Sequence, residues 1–292
     1  MITLLDLNAE FAKLTMLHGR TPTTTRAERE GSSARLAPYR DGTIFASKSA
    51  GKGAWERHPD GDELVQVIEG SATLDIATGD HPVHSIPVHT GMIAIEPRGA
   101  WHRFHYPDGI TLLTVTPGKS DYVRLDIDDP RTAEPQRNYE GRTAMTTILD
   151  LKGTLARMPM MQGRHPESTE AERKATGAFV TLAPYRDGNI YSAKFSGDAA
   201  WERHPNGDEL VQIVDGSCTI HLMTENGLES HEVGAGMTIV VPQNTWHRFH
   251  APNGVSIVTA TPRPTEHLTI DVEDPRTLSD AERAANSEEK VR

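Results

Sequence analysis

The sequence predicts an all-β protein made of one domain written twice, and three observations carry that reading. A long internal repeat divides the chain into two halves, short β-branched runs recur through both, and turn-forming residues separate those runs at close spacing.

The repeat is explicit. Ala54 to Ser71 reads AWERHPDGDELVQVIEGS and Ala200 to Ser217 reads AWERHPNGDELVQIVDGS, so four of eighteen positions differ, each mildly. LAPYRDG recurs at Leu36 and Leu182, AWHRFH at Ala100 is answered by TWHRFH at Thr245, and DDPRT at Asp128 by EDPRT at Glu273. The opening arms also align, with Leu4-Leu5-Asp6-Leu7 matching Ile148-Leu149-Asp150-Leu151. A period of about 145 residues is too long for a solenoid unit, so each copy is a domain. Residues 1–140 form the first and 146–292 the second, with a polar seam from Asn138 to Met145.

Within each copy, Glu63 to Ile68, Ile110 to Thr116, Glu209 to Val214 and Val255 to Thr261 have strand composition. Pro59-Asp60-Gly61-Asp62 and Pro205-Asn206-Gly207-Asp208 are tight-turn sequences joining strands. Many short strands at this spacing indicate a sandwich or small barrel. Helix is expected only at Thr24 to Glu30, at its counterpart Ser168 to Lys174, and in the tail from Leu278, which frays from about Ala284.

Composition narrows the function. No apolar run approaches the roughly 18 residues of a membrane helix. The N-terminus has no basic region and carries Asp6 where a signal peptide needs an apolar core, which predicts cytoplasmic residence. A net charge of −11 without Lys/Arg clusters argues against nucleic-acid and membrane partners. The expected partner is a small-molecule substrate or ligand, with a homo-oligomer compatible with the sequence. The single cysteine, Cys218, rules out an internal disulfide framework and a thiolate cluster, so a bound metal would rest on His and carboxylates.

Such residues converge by register. In Glu56-Arg57-His58 the period of two sends Glu56 and His58 to one face, the turn returns Glu63 alongside, and His102 opens a later strand that closes over the same spot. Glu202, His204, Glu209 and His247 repeat the pattern. Two His and a carboxylate with open positions suit Fe(II), and also Mn, Zn, Ni or Co.

These residues resemble the two motifs of the cupin superfamily. His58, four residues, Glu63, six residues and Gly70 match the core of its first motif, as do His204, Glu209 and Gly216. Gly91, Pro97, Gly99 and His102 match its second, as do Gly236, Pro242 and His247, with Asn244 in place of the glycine. The resemblance implies two tandem jelly-roll barrels, or double-stranded β-helices, with short helical or irregular arms. It also implies metal ligation by His58, Glu63, His102, His204, Glu209 and His247. Three departures stand out. The first histidine of His-x-His is Glu56 or Glu202, the leading glycine is displaced to Gly51 or Gly197, and the closing Asn is Tyr106 or Ala251. Glu56 and Glu202 either complete the ligand set or stand beside the metal as general bases, and they are the catalytic candidates.

Other residues have plainer readings. Trp55, Trp101, Trp201 and Trp246 flank ligand positions at odd offset and belong to packing. By the same alternation Arg57, Arg103, Arg203 and Arg248 face outward, to the surface or a subunit contact. His81, His84 and His89 lie in a Pro-bearing segment read as a surface loop. Cys218 reads as a small hydrophobe. The favoured function is a metal-dependent enzyme of dioxygenase type. A non-catalytic metal- or small-molecule-binding protein and a cofactor-free isomerase or epimerase are the alternatives.

Overall fold

The computed structural model describes residues 2–79, 81–133 and 145–289. It is predominantly β and divides into two compact units, Ala9–Gly153 and Met1–Asn8 with Thr154–Arg292. These units do not follow the repeat. The opening strand Thr3–Asp6 pairs antiparallel with Met237–Val241, completing the sheet of the second unit. Its repeat partner Thr147–Asp150 pairs with Met92–Glu96 of the first. The near-identical arms LLDL and ILDL explain the exchange, because either arm offers the receiving edge the same apolar alternation. Of the seam predicted at Asn138 to Met145, all but Met145 lies outside the described residues.

The first unit is built on Trp101–Thr116, which pairs with Gly42–Lys52 on one side and Glu63–Ala77 on the other. Glu63–Ala77 also pairs with Met92–Glu96 and with His84–His89. Long strands of this kind bend at a glycine. The register slips between Gly70 and Thr73, where Gly70 has φ +90° and an added Cβ would lie 2.3 Å from the carbonyl oxygen of Gly109. Gly216 (φ +75°) meets Gly254 at the same distance in the second unit. Only glycine satisfies both demands. The inward faces form apolar cores, with Val65, Leu74, Ile76, Phe104 and Leu112 in one unit and Val211, Ile220, Leu222, Phe249 and Ile257 in the other.

Some expectations need correction. Thr24 to Glu30 forms turns: Thr25 and Glu28 exchange capping hydrogen bonds, but Arg29 Nε is buried without a hydrogen-bond partner among the described residues, whereas its counterpart Arg173 is anchored to Glu288 (2.9 Å). Its counterpart is a helix, Glu170–Ala175, closed by a capping box between Thr169 and Glu172. Two further short helices, Leu7–Ala12 and Leu151–Arg157, follow the exchanged strands and bury Leu7 with Phe11 and Leu151 with Leu155. One apolar pair per helix is too little periodicity to detect in sequence. His84–His89 is a strand, although His81, His84 and His89 are exposed as expected. Beyond the helix Asp280–Ala285 the tail does not fray at once, since Ser287–Glu289 pairs with Glu266–Leu268.

The tryptophans pack as predicted, and the outward arginines pack with them. Arg57 lies over Trp101 (4.6 Å) and Arg103 over Trp55 (4.5 Å), with Arg203 over Trp246 (4.8 Å) and Arg248 over Trp201 (4.7 Å) in the second unit. Arg57 and Arg103 are buried. The segment leading to each Asp-Pro-Arg-Thr covers this face, and Ile127 accepts hydrogen bonds from Trp55 (2.9 Å) and Arg103 (2.8 Å). The reading of these arginines as surface or subunit residues is therefore overturned for Arg57 and Arg103. A charged guanidinium on an indole face, with its edge bonded to carboxylate or carbonyl, tolerates burial.

Candidate metal centres and their relatives

Each unit assembles the predicted residues at one end of its barrel. His58 follows the short strand Trp55–Arg57, Glu63 opens a long strand, and His102 is the second residue of Trp101–Thr116, in register with Glu56. The turn that delivers His102 is held to the one carrying His58: Gly99 N–H donates to the His58 carbonyl (3.0 Å) and Arg98 N–H to Asp62 (2.8 Å). Asn244 and Gln243 make the equivalent bonds to His204 (2.9 Å) and Asp208 (2.8 Å). Asn244 adopts φ +62°, the left-handed conformation that the glycine at its counterpart supplies freely and that asparagine tolerates.

In the first unit His58 Nε2 lies 3.2 Å and His102 Nε2 3.1 Å from the same oxygen of Glu63. In the second, His204 and His247 lie 3.3 and 3.1 Å from one oxygen of Glu209. All six side chains are buried. The far ring nitrogens face outward, His102 Nδ1 to the Ala100 carbonyl (3.3 Å) and His247 Nδ1 to the Thr245 carbonyl (3.1 Å). A carbonyl only accepts, so Nδ1 carries a proton and Nε2 is left facing the carboxylate, as a donor when the ring is protonated and as a lone pair for a cation once that proton has left. His58 and His204 rest against Ser120 (3.0 Å) and Thr265 (3.1 Å). Thr116 and Thr261 donate to the outer oxygens of Glu63 and Glu209.

This arrangement fits a cation. His58 Nε2 and His204 Nε2 are buried, close to a carboxylate, and yet make no hydrogen bond. His58, Glu63 and His102 offer ligand atoms within 4.8 Å of one another, a group that could hold a metal ion, and so do Glu202, His204, Glu209 and His247. Glu56 and Glu202 differ here. Glu202 belongs to its set, 3.8 Å from His247 Nε2, whereas Glu56 stands outside its own, 4.0 Å from His102 Nε2, with a more exposed side chain.

These buried groups ionise against one another. Burial disfavours charge throughout, but the imidazoles hold Glu63 and Glu209 well below the usual carboxylate range. Against the same burial, Glu63 and Glu96 raise His102 to about 9. Glu209 and Glu202 likewise raise His247.

Sequence reasoning missed several residues. Thr116 and Thr261 sit in the repeated Thr-x-Thr-Pro, a visible signal. Glu96 faces Glu63 in register and is buried, among the described residues its side chain accepts only from Thr146 (3.0 Å), and burial raises it to about 7. Its counterpart is Val241, so the repeat gave no hint of it. Cys218 is buried and its thiol is pushed up to about 12, in keeping with a packing role. Among the described residues no helix is long and apolar enough to cross a membrane.

The chain matches the model of the cupin domain twice, over residues 45–116 and 194–259. Both matches span the strands that carry the site. Its fold is similar to that of a cupin 2 conserved barrel domain protein from Leptotrichia buccalis (TM-score 0.50, 12% identity, 89% of this chain and 96% of that one). It is also similar to the coconut allergen cocosin (TM-score 0.50, 11% identity, 77% and 78%). An uncharacterised protein of Acanthamoeba polyphaga mimivirus is 31% identical over 70 residues, 24% of this chain and 43% of that protein's length. The twofold match, the barrel topology of each unit and the placing of both motifs on that topology lead to one assignment: the chain carries two cupin domains, one in each half.

Proposed function

We propose that the protein binds a divalent transition metal in each unit, through His58, Glu63 and His102 and through His204, Glu209 and His247, and acts as an enzyme on a small organic molecule. The observation that carries this is the paired set of buried Nε2 atoms aimed at one carboxylate oxygen, with the outer ring nitrogens tied back. Bound there, a metal supplies Lewis acidity and exchangeable coordination positions. Fe(II) is the first candidate and oxygenase-type chemistry the first reaction class, with Mn, Zn, Ni and Co as competitors.

The residues divide the work. His58, Glu63, His102 and their counterparts hold the site, while Thr116, Ser120, Thr261 and Thr265 orient them. Glu202 faces a cavity of about 580 Å³ in the second unit, lined also by Glu209, Thr261 and His267. A carboxylate at the mouth of a buried site is placed to accept a proton from a bound molecule. The second unit is therefore the proposed reaction site.

A second reading draws on Glu202. Four protein ligands close a tetrahedral site, so zinc there would be structural and the protein a binding module. Elemental analysis of protein purified without chelator, followed by oxygen uptake with small carbonyl and phenolic compounds, separates the two. Iron with substrate-dependent uptake supports the enzyme. Stoichiometric zinc with no turnover supports the binding module, and no metal bound or rebound overturns both.

A further inference from the structure

The cavity of the second unit holds a cation that the metal site does not use. Arg164 ends the strand Met161–Arg164 and is 8% exposed. Its backbone lies against Gly197 (φ +106°), where an added Cβ would come within 2.2 Å of the Arg164 carbonyl oxygen, so the glycine fixes where this arginine sits. The guanidinium lies over two phenyl rings, 4.6 Å from the centroid of Phe195 and 5.2 Å from that of Phe179. Those rings are themselves stacked at 6.0 Å.

The aromatic faces satisfy the charge but not the donors. Arg164 Nε is buried with no hydrogen-bond partner. Burial lowers the guanidinium to about 10, with Glu202 opposing the shift, and it stays cationic at neutral pH. Of the other cations at the cavity, Arg173 is bonded to Glu288 (2.9 Å) and the Ser168 carbonyl, Lys174 pairs with Glu170 (2.6 Å), and Arg263 lies 2.6 Å from the side-chain amide of Asn189. A desolvated guanidinium with an unsatisfied N–H is a receptor for a planar anion, since a carboxylate supplies both the missing acceptor and the counter-charge. The cavity wall also offers apolar side chains, Phe179, Ala193, Phe249 and Ile257.

The first unit lacks this device. Arg20, in the matching strand position, is half-buried and lies 5.9 Å over Tyr106. Ser33 and Ser49 stand where the second unit has Phe179 and Phe195.

We propose that the cavity of the second unit takes a small organic acid, its carboxylate held by Arg164 and its apolar body against the phenylalanine wall. This rests on reading the Glu202, His204, Glu209 and His247 set as the reactive centre. Glu202, close enough to act on the charge of Arg164, would then face the part of the acid that reacts.

The test is calorimetric titration of the full chain with propionate, hexanoate and 3-phenylpropionate, each beside its primary amide, for wild type, Arg164→Gln and Arg164→Lys. Co(II) absorption is recorded on the same samples. Wild type should bind at least one acid tenfold or more tighter than its amide. Arg164→Gln should lose that preference, and Arg164→Lys, which keeps the charge but not the fork, should retain part of it. If Arg164→Gln fails to fold, a preference in Arg164→Lys equal to wild type overturns the proposal. So does wild type that binds acid and amide alike, or neither. Co(II) binding without acid preference refutes the arginine's role and leaves the metal reading standing. Acid preference without Co(II) binding does the reverse.

Discussion

Raising the pH should strengthen metal binding at the first site while weakening the metal-free fold. His102 is held at about 9 by Glu63 and Glu96, against burial. Its proton must leave before Nε2 can ligate a cation. At pH 7 only about one molecule in 100 has lost it, so apparent affinity should rise about 50-fold to 100-fold between pH 7 and pH 9, or about 2.5 kcal/mol. His58, whose pKa is also raised, pulls in the same direction. The sign for folding is opposite. A histidine near 6.5 when unfolded and about 9 when folded contributes about 3 kcal/mol, shared with its partner Glu63. That contribution is complete below about pH 6.5 and is lost as pH rises through 9. The assay is chelator competition on a His204→Ala, His247→Ala protein, which isolates the first site, with proton release measured in buffers of different ionisation enthalpy. Affinity that is flat from pH 7 to 9, with no proton released, would refute this electrostatic account.

Other outcomes follow from single positions. Glu96→Gln should stabilise the metal-free protein by about 3 kcal/mol at pH 8 and have little effect at pH 4.5 in urea unfolding, because burial penalises only the ionised form of a carboxyl raised to about 7. Glu202→Gln should weaken metal binding in the second unit tenfold or more, and Glu56→Gln should leave the first unit within about threefold, as only Glu202 lies in its ligand group. Trp201→Ala should cost about 3–5 kcal/mol by emptying the space beneath Arg248, read from thermal unfolding. Gly216→Ala should destabilise by more than about 2 kcal/mol, against a smaller loss for Gly227→Ala, where the added Cβ meets nothing within 4 Å.

The fold and the candidate site were legible for different reasons. The repeat fixed the number of domains, and strand alternation with tight turns fixed the class, because both are written locally. The positions of His58, Glu63 and His102 followed from register and from the resemblance of the surrounding motifs. The exchange of Thr3–Asp6 and Thr147–Asp150 was hidden, since two arms of the same sequence fit either edge equally well. Alternation rightly sent Arg57 and Arg103 to the face opposite the ligands. It could not show that Trp55, Trp101 and the Asp-Pro-Arg-Thr segment would bury that face too. Glu96 and Arg164 escaped notice because each matters through what surrounds it: an opposed carboxylate in one case, two stacked rings in the other.

Each unit should hold its own metal through two histidines and a glutamate. Native mass spectrometry of the full chain, reconstituted with Co(II) or Fe(II) without oxygen at pH 8, tests it most directly. Two metals per chain are expected, one after either His58→Ala with His102→Ala or His204→Ala with His247→Ala, and none when all four are changed. Metal retained in the fourfold variant, or no metal on the wild-type chain, would contradict it.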